Sequence, residues 1–274
     1  MGRMEVGVMM SVGWTVEQLQ QIRDLGFTNV QMAAPSEEVL QDPAASQTLI
    51  SHIQSVGIDV TAVFATFSGE SYADIPTVKE TVGYLNEDTR EERLALTEMI
   101  SDFAKSLGVD EVAAHVGFVP EESDDPAYRP MVEAVGRLAD YCAKNGQVYA
   151  LETGQESAPA LLSFLEDLGR DNVKVNFDPA NMILYGSGEP IGALKVVADH
   201  VVSVHAKDGK WPTGEGQLGT EYRLGEGDVG IDRFVATLKD IGYGGPLTIE
   251  REIPDWDQKV KDLVEAKKLL EGLA

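Results

Sequence analysis

The stretch Val201-Val202-Ser203-Val204-His205-Ala206-Lys207-Asp208 is a short, mostly β-branched run that delivers a histidine, a lysine and a carboxylate where it stops. A run of that composition is a strand covered on both faces, as in parallel sheets, where chemistry gathers at the strand ends. Three further runs end the same way. Val148-Tyr149-Ala150-Leu151 reaches Glu152, Val173-Lys174-Val175-Asn176-Phe177 reaches Asp178, and Pro246-Leu247-Thr248-Ile249 reaches Glu250. Glu152 to Asp178 spans 26 residues and Asp178 to His205 spans 27, each about one strand, one helix and two loops. His205 to Glu250 spans 45, which fits the same unit with a glycine-rich insertion between Lys207 and Gly230. In a sheet that closes on itself, the four residues converge at one mouth of a barrel.

The same rhythm covers the rest of the chain. Earlier strands are expected at Met4–Met10, Asn29–Ala33, Asp59–Thr66 and Glu111–Val116. Thr15-Val16-Glu17-Gln18 is a capping box that opens a helix to Gly26, and a second helix starts near Ser36, breaks at Pro43 and ends at Gly57. Thr89-Arg90-Glu91-Glu92 is a second capping box, opening a helix to Leu107 after a long loop, Phe67 to Asp88, of the kind that covers functional sites. Further helices are expected over Pro126–Asn145, Ser157–Gly169, Pro190–Asp199, Asp232–Ile241 and Asp255–Leu273. Eight strands, each followed by a helix, with no linker or repeat, predict an α/β chain folded as a single (β/α)8 TIM barrel domain over residues 1–274, not an open doubly wound sheet.

Composition bounds the function. With 43% hydrophobic residues and a mean hydropathy of −0.14, the chain has ample core, and no apolar run approaches the roughly 20 residues of a membrane helix. Met1-Gly2-Arg3-Met4-Glu5 leads into the first strand without an apolar leader, so a cytoplasmic location and no membrane partner are expected. A net charge of −24 with no basic cluster excludes nucleic acid as a partner. The single cysteine, Cys142, sits in an amphipathic helical stretch and reads as a core thiol.

Three carboxylates and an imidazole make an oxygen-rich ligand set for one divalent cation: Mn2+ foremost, with Mg2+, Co2+, Fe2+ or Zn2+ as alternatives. A sugar held between Glu152 and Glu250 faces a carboxylate on each side. One removes a proton alpha to a carbonyl and the other returns it, which is epimerisation, whereas a single shared base gives aldose–ketose isomerisation. The expected function is therefore a metal-dependent isomerase or epimerase of a sugar or sugar phosphate acting through an enediolate. Two alternatives use the same parts: a lyase or hydrolase of a keto-sugar or keto-glycoside, and a non-catalytic sugar-binding barrel.

Leu151-Glu152-Thr153-Gly154-Gln155-Glu156, Asn176-Phe177-Asp178-Pro179-Ala180-Asn181, His205-Ala206-Lys207-Asp208 and Thr248-Ile249-Glu250-Arg251 resemble the xylose-isomerase-like barrel superfamily of sugar phosphate isomerases and epimerases. The resemblance implies that Glu152, Asp178, His205 and Glu250 are metal ligands, that the two glutamates are the acid/base pair, and that the chain self-associates. Ketose 3-epimerases of this kind carry a histidine three residues after the metal-binding aspartate and an arginine six after the metal-binding histidine. Here those positions are Asn181 and Trp211, so two sugar contacts are replaced. Endonuclease IV shares the superfamily and His115 resembles one of its zinc ligands. Its other histidines have no counterpart at Asn181 or within Leu224–Gly230, which again excludes DNA.

Around this centre, His115, Gln155, Asn181 and Lys207 are candidate hydrogen-bonding contacts to substrate, and Trp14, Phe67 and Trp211 are candidates to stack on a sugar face. Trp256 reads as packing, and His52 and His200 as structural or exposed. Lys207, Lys210, Arg223 and Arg251 are candidates to hold a phosphate, although no glycine-and-basic cradle accompanies them. Gly225-Glu226-Gly227-Asp228-Val229-Gly230 spells G-x-G-x-x-G, yet it follows a loop where a dinucleotide site needs a buried strand, so its glycines are expected to shape the loop over the site.

Overall fold

A computed structural model describes residues 4–274; Met1, Gly2 and Arg3 lie outside it. The strands are β1 (Val6–Met10), β2 (Asn29–Ala33), β3 (Asp59–Ala65), β4 (Glu111–Ala114), β5 (Val148–Glu152), β6 (Val173–Phe177), β7 (Val201–Ala206), β8 (Asp208–Lys210), β9 (Thr220–Tyr222) and β10 (Leu247–Ile249). Eight of them close a barrel in the order β1-β10-β7-β6-β5-β4-β3-β2, every pair parallel, with helices between successive strands. The (β/α)8 expectation is met. β8 and β9 form a separate antiparallel ribbon inside the insertion after β7. No helix among the described residues is long and apolar enough to cross a membrane.

Alternation decides what points at the barrel axis. Val8, Val30, Val63, Val112, Leu151, Val175, Val204 and Ile249 face outward into the core shared with the helices. Their neighbours in sequence face inward. Met9, Ala33, Ala62, Phe64, Ala113 and Ala150 form a small separate cluster there, beside the buried polar residues Gln31, Asn176, Ser203 and His205. Small inward residues leave space at the carboxyl end of the barrel, and the same parity sends Glu152, Asp178, His205 and Glu250 toward it.

Helix starts explain the differences from the sequence reading. The Thr15 capping box forms with both of its reciprocal bonds, Pro43 starts a new helix (Pro43–Val56) capped by Asp42, and Gly57 ends it in the left-handed region. At the second proposed box the start is earlier: Asn86 caps Glu87–Leu107, its Oδ1 accepting from the Asp88 amide, and Glu87 and Asp88 add negative charge to the first turn. Thr89 therefore sits inside the helix, and its hydroxyl is buried without a partner. The long loop contains a helix, Ile75–Thr81, that Asp74 caps with Pro76 in its first turn. A further unexpected helix, Pro179–Tyr185, starts at Asp178 itself.

Candidate functional site

The four residues at the strand ends meet. Their ligand atoms lie within 4.8 Å of one another. His205 Nδ1 is 2.9 Å from Glu152 Oε1, 3.1 Å from Glu250 Oε2 and 3.6 Å from Asp178 Oδ2. Sheet register sets these separations, with Glu152 paired to Asn176 across β5–β6 and Thr248 to His205 across β10–β7. Thr153 adds a cross-link: its hydroxyl accepts from the Asp178 amide at 2.8 Å and donates to the Asp178 carbonyl at 3.1 Å. Asp178 divides its carboxylate between two tasks. Oδ1 caps Pro179–Tyr185 by accepting from the Ala180 and Asn181 amides, while Oδ2 is buried with no hydrogen-bond partner.

These donors fit a divalent cation. Three carboxylate oxygens converge on one imidazole nitrogen in a buried position, an arrangement that a proton on Nδ1, or a cation in its place, must satisfy. Gln31 orients the ring: His205 Nε2 donates to Gln31 Oε1 at 2.7 Å, which fixes the proton there and turns the Nδ1 lone pair toward the carboxylates. The electrostatics agree. Burial alone would lower the His205 pKa, yet Glu250 and Glu152 raise it well above its ordinary value. Burial pushes Asp178 up to about 6 against the pull of Lys207. Burial likewise opposes charge on Glu250, but Lys207 and His205 override it and hold that carboxyl well below the usual range.

A layer of polar side chains frames the cluster. Lys207 Nζ donates to Glu250 Oε2 at 3.0 Å, Glu252 Oε2 at 2.8 Å and Asn181 Oδ1 at 3.3 Å. Asn181 Nδ2 donates to Glu152 Oε1 at 3.3 Å, and His115 Nε2 lies 3.0 Å from Glu152 Oε2. Gly154, at φ 143°, makes this approach feasible, since a Cβ there would lie 2.4 Å from the Asn181 Cβ. Above the cluster opens a cavity of about 1110 Å³, which Glu152, Glu250, Lys207, Asn181 and His115 line. Asp178 and His205 have no exposed surface and lie beneath it.

The sequence pattern of a known family, described as xylose isomerase-like TIM barrel, matches residues 19–272. This chain belongs to that family. A xylose isomerase domain protein from Planctomyces limnophilus, known from its crystal structure, superposes with a TM-score of 0.93 at 45% identity, covering 99% of this chain and 98% of that one. An uncharacterised protein of Methanocaldococcus jannaschii is 22% identical over 198 residues, 68% of this chain and 64% of the relative. The L-ribulose 3-epimerase of Methylomonas sp. is 28% identical over 172 residues, 57% of this chain and 54% of the relative. The matches thus span between about half and two thirds of the length of these curated relatives.

Other candidate residues in this xylose isomerase-like chain divide by position. Trp14 and Phe67 line the cavity, and the Trp14 indole N–H donates to the Ala33 carbonyl at 3.0 Å, which pins the ring. Gln155 lies outside the cavity lining, buried with its amide 3.5 Å from the Tyr185 hydroxyl. Trp211 is 41% exposed on the insertion and also lies outside the lining, because the β8–β9 pairing carries it away from the mouth. Trp256 is half-buried against the core and donates to Gln21 Oε1 at 2.8 Å; Cys142 is buried, and His52 is exposed on Pro43–Val56. The G-x-G-x-x-G stretch wraps a carboxylate of its own chain: Asp208 accepts from the amides of Gly225, Gly227 and Val229, and a Cβ on Gly227 would sit 2.1 Å from Asp208 Oδ1.

Sequence reasoning missed Gln31, Tyr185, Glu221 and Glu252. Gln31 had a readable signal, a polar side chain at an inward position of the otherwise apolar run Val30–Ala33. Tyr185 reaches the site through the helix after Asp178, Glu221 through the β8–β9 ribbon and Glu252 through the loop after β10.

Proposed function

We propose that this protein is a divalent-metal-dependent epimerase or isomerase of a sugar, removing and returning a proton alpha to a carbonyl through an enediolate. One observation carries the reading. Glu152 and Glu250 line one cavity from β5 and β10 and approach the same atom, His205 Nδ1, at 2.9 and 3.1 Å. The name of the L-ribulose 3-epimerase relative supports a ketose as the sugar.

Glu152, Asp178, His205 and Glu250 would hold the cation, Mn2+ foremost, with Mg2+, Co2+, Fe2+ or Zn2+ as alternatives, and it would supply a Lewis acid that polarises the substrate carbonyl. The chain's own groups handle the proton. Glu250, kept ionised by Lys207 and His205, accepts it from the carbon alpha to the carbonyl. Glu152, beside His115, delivers one to the opposite face, and the roles exchange for the reverse epimer. Asn181 and Lys207 hold the two glutamates apart and orient hydroxyl groups of the sugar.

The test is deuterium incorporation from D2O into a panel of ketoses with Mn2+ present. The expected result is exchange at the carbon alpha to the carbonyl, falling roughly 10²–10⁴-fold in Glu152→Gln and in Glu250→Gln. Metal binding with no exchange into any ketone-bearing sugar would turn the reading toward hydrolysis by the same barrel, and failure to bind metal would remove its basis.

A further inference from the structure

A line of polar side chains crosses the barrel interior beneath the carboxylate and imidazole cluster. From His205 Nε2 it runs to Gln31 Oε1 at 2.7 Å, from the Gln31 amide nitrogen to Asn176 Oδ1 at 3.4 Å, from there to Ser203 Oγ at 2.7 Å, and finally to Glu111 Oε1. Gln31, Asn176, Ser203 and His205 are buried. Glu111, the first residue of β4, is half-buried at the opposite end of the barrel, where a proton can enter or leave.

Counting protons fixes the direction of every bond. The Ser203 hydroxyl lies within bonding distance of two oxygens, Asn176 Oδ1 and Glu111 Oε1, and has one proton to give. Both contacts are satisfied when a protonated Glu111 donates to Ser203 Oγ and Ser203 donates to Asn176. Gln31 then presents nitrogen to Asn176 and oxygen to His205, so the ring keeps its proton on Nε2 and leaves Nδ1 free for a cation. When Glu111 loses its proton to solvent, Ser203 donates to the carboxylate, and two bare oxygens face each other across 2.7 Å. Turning the Asn176 amide over relieves this. Its Nδ2, buried without a partner in the present orientation, then donates to Ser203 and to Gln31. Gln31 turns in response, and its nitrogen faces His205 Nε2. That ring nitrogen has to accept, so the ring proton moves to Nδ1, the atom a cation would occupy.

Resting on the metal-dependent epimerase reading, we propose that Glu111 is a positioning residue for the metal centre: through Ser203, Asn176 and Gln31, its proton holds His205 in the tautomer that binds the cation. Burial pushes the Glu111 carboxyl up to about 7 although Ser203 and His205 pull it down, so both states are accessible near neutral pH. Few charges face it. Tyr243, before β10, and His205 are the titratable groups whose charge bears on it. Its ladder partner on β5 is Val148, Asp59 on β3 and Asp110 before β4 are exposed, and Lys174 on β6 forms no ion pair with it. Charge attraction alone has the opposite sign, because an ionised carboxyl draws a cation in, whereas this chain of bonds weakens metal binding as Glu111 ionises.

Mn2+ affinity, measured by competition against a fluorescent chelator at about pH 6 and about pH 8, compares the wild type with Glu111→Gln and Ser203→Ala. Glutamine supplies a neutral donor to Ser203 at either pH, and alanine cuts the chain while keeping the carboxyl. Dividing the wild-type Kd by that of each variant cancels the titration of the ligands themselves. A group titrating near 7 goes from about one tenth to about nine tenths ionised over this range, so the ratio is expected to rise about tenfold. A second readout needs only the wild type. Linkage is reciprocal, so saturating Mg2+ is expected to raise the titration of Glu111, followed by the 13C resonance of its carboxyl. A Kd ratio that stays within about twofold or falls, or a Glu111 titration that Mg2+ lowers, would overturn the proposal. Coupling without deuterium exchange into any ketose would keep the positioning role and remove the epimerase reading, and exchange with a flat ratio would do the reverse. Absence of Mn2+ binding at both pH values would overturn both.

Discussion

Gln31→Leu tests whether the cluster is a metal site or a set of buried ion pairs. Gln31 is 1% exposed inside the barrel, and its Oε1 receives the His205 Nε2 proton at 2.7 Å. Its own amide donates onward to Asn176 Oδ1 at 3.4 Å, where Ser203 also donates at 2.7 Å. Leucine matches the volume and removes the acceptor. The imidazole then gains nothing by keeping its proton on Nε2, and a proton on Nδ1 competes directly with a cation. Loss of such an orienting partner lowers metal affinity by about 10–100-fold, or about 1.4–2.8 kcal/mol. The stranded buried N–H costs about 1–3 kcal/mol of stability on its own. The two effects separate experimentally. Mn2+ affinity is read by competition against a fluorescent chelator, and melting is followed in EDTA, where metal contributes nothing. Gln31→Glu keeps an acceptor on Nε2 and is expected to retain wild-type affinity or exceed it. If Gln31→Leu melts lower in EDTA but binds Mn2+ within about twofold of wild type, the orienting role assigned to Gln31 is wrong.

Two further outcomes follow from carboxylates outside the reaction centre. Asp208→Ala removes the acceptor for the amides of Gly209, Gly225, Gly227 and Val229 and is expected to cost about 3 kcal/mol, with hydrogen exchange accelerated at those amides; unchanged exchange there would show that the loop is held by other contacts. Glu111 hydrogen-bonds Ser203, and burial raises its carboxyl from an ordinary value of 4.5 to about 7 despite that bond. The native state therefore binds this proton more tightly than the unfolded chain, so the contribution is fully present below pH 4.5 and is lost as pH rises through 7. It amounts to at most about 3 kcal/mol. Glu111→Gln should flatten that decline in denaturant titrations between pH 4.5 and 7, and an unchanged slope would assign the decline to other groups.

What the sequence showed and what it hid both have physical causes. Strand parity is local, so an apolar run ending at Glu152, Asp178, His205 or Glu250 announces an inward carboxylate or imidazole before any fold is known. Asp178-Pro179-Ala180-Asn181 also encodes a helix start, with the aspartate as cap and proline at the first helical position, so one carboxylate serves as both cap and candidate ligand. At Asn86 and Thr89 two capping residues competed within one stretch, and the acidic pair Glu87 and Asp88 favoured the earlier one. Trp211 and Gln155 were illegible for a different reason. Each sits a few residues past a strand end, where ribbon pairing or a glycine at φ 143° sets the direction of the chain, and no periodicity in the sequence encodes either.

The closed order of strands separates the two halves of the site. The ligands sit at the ends of β5, β6, β7 and β10, which are adjacent, so their spacing is set by backbone ladders that tolerate little change. The rest of the cavity wall belongs to the opposite side, above β1, β2 and β3, and comes from the loops after those strands and from helices Val16–Asp24, Glu37–Gln41, Pro43–Val56 and Glu87–Leu107. Helices that pack on the barrel without supplying ligands can change side chains without moving His205 or its carboxylates. Substitutions on the two sides share no hydrogen-bond partner, and such changes add when the sites lie more than about 7–10 Å apart. In a double variant combining Val39→Trp with Gln31→Leu, Mn2+ affinity is therefore expected to fall by the same factor as in Gln31→Leu alone. A clearly different loss would mean that the Val39 wall bears on the metal cluster itself, and the division between the halves would fail.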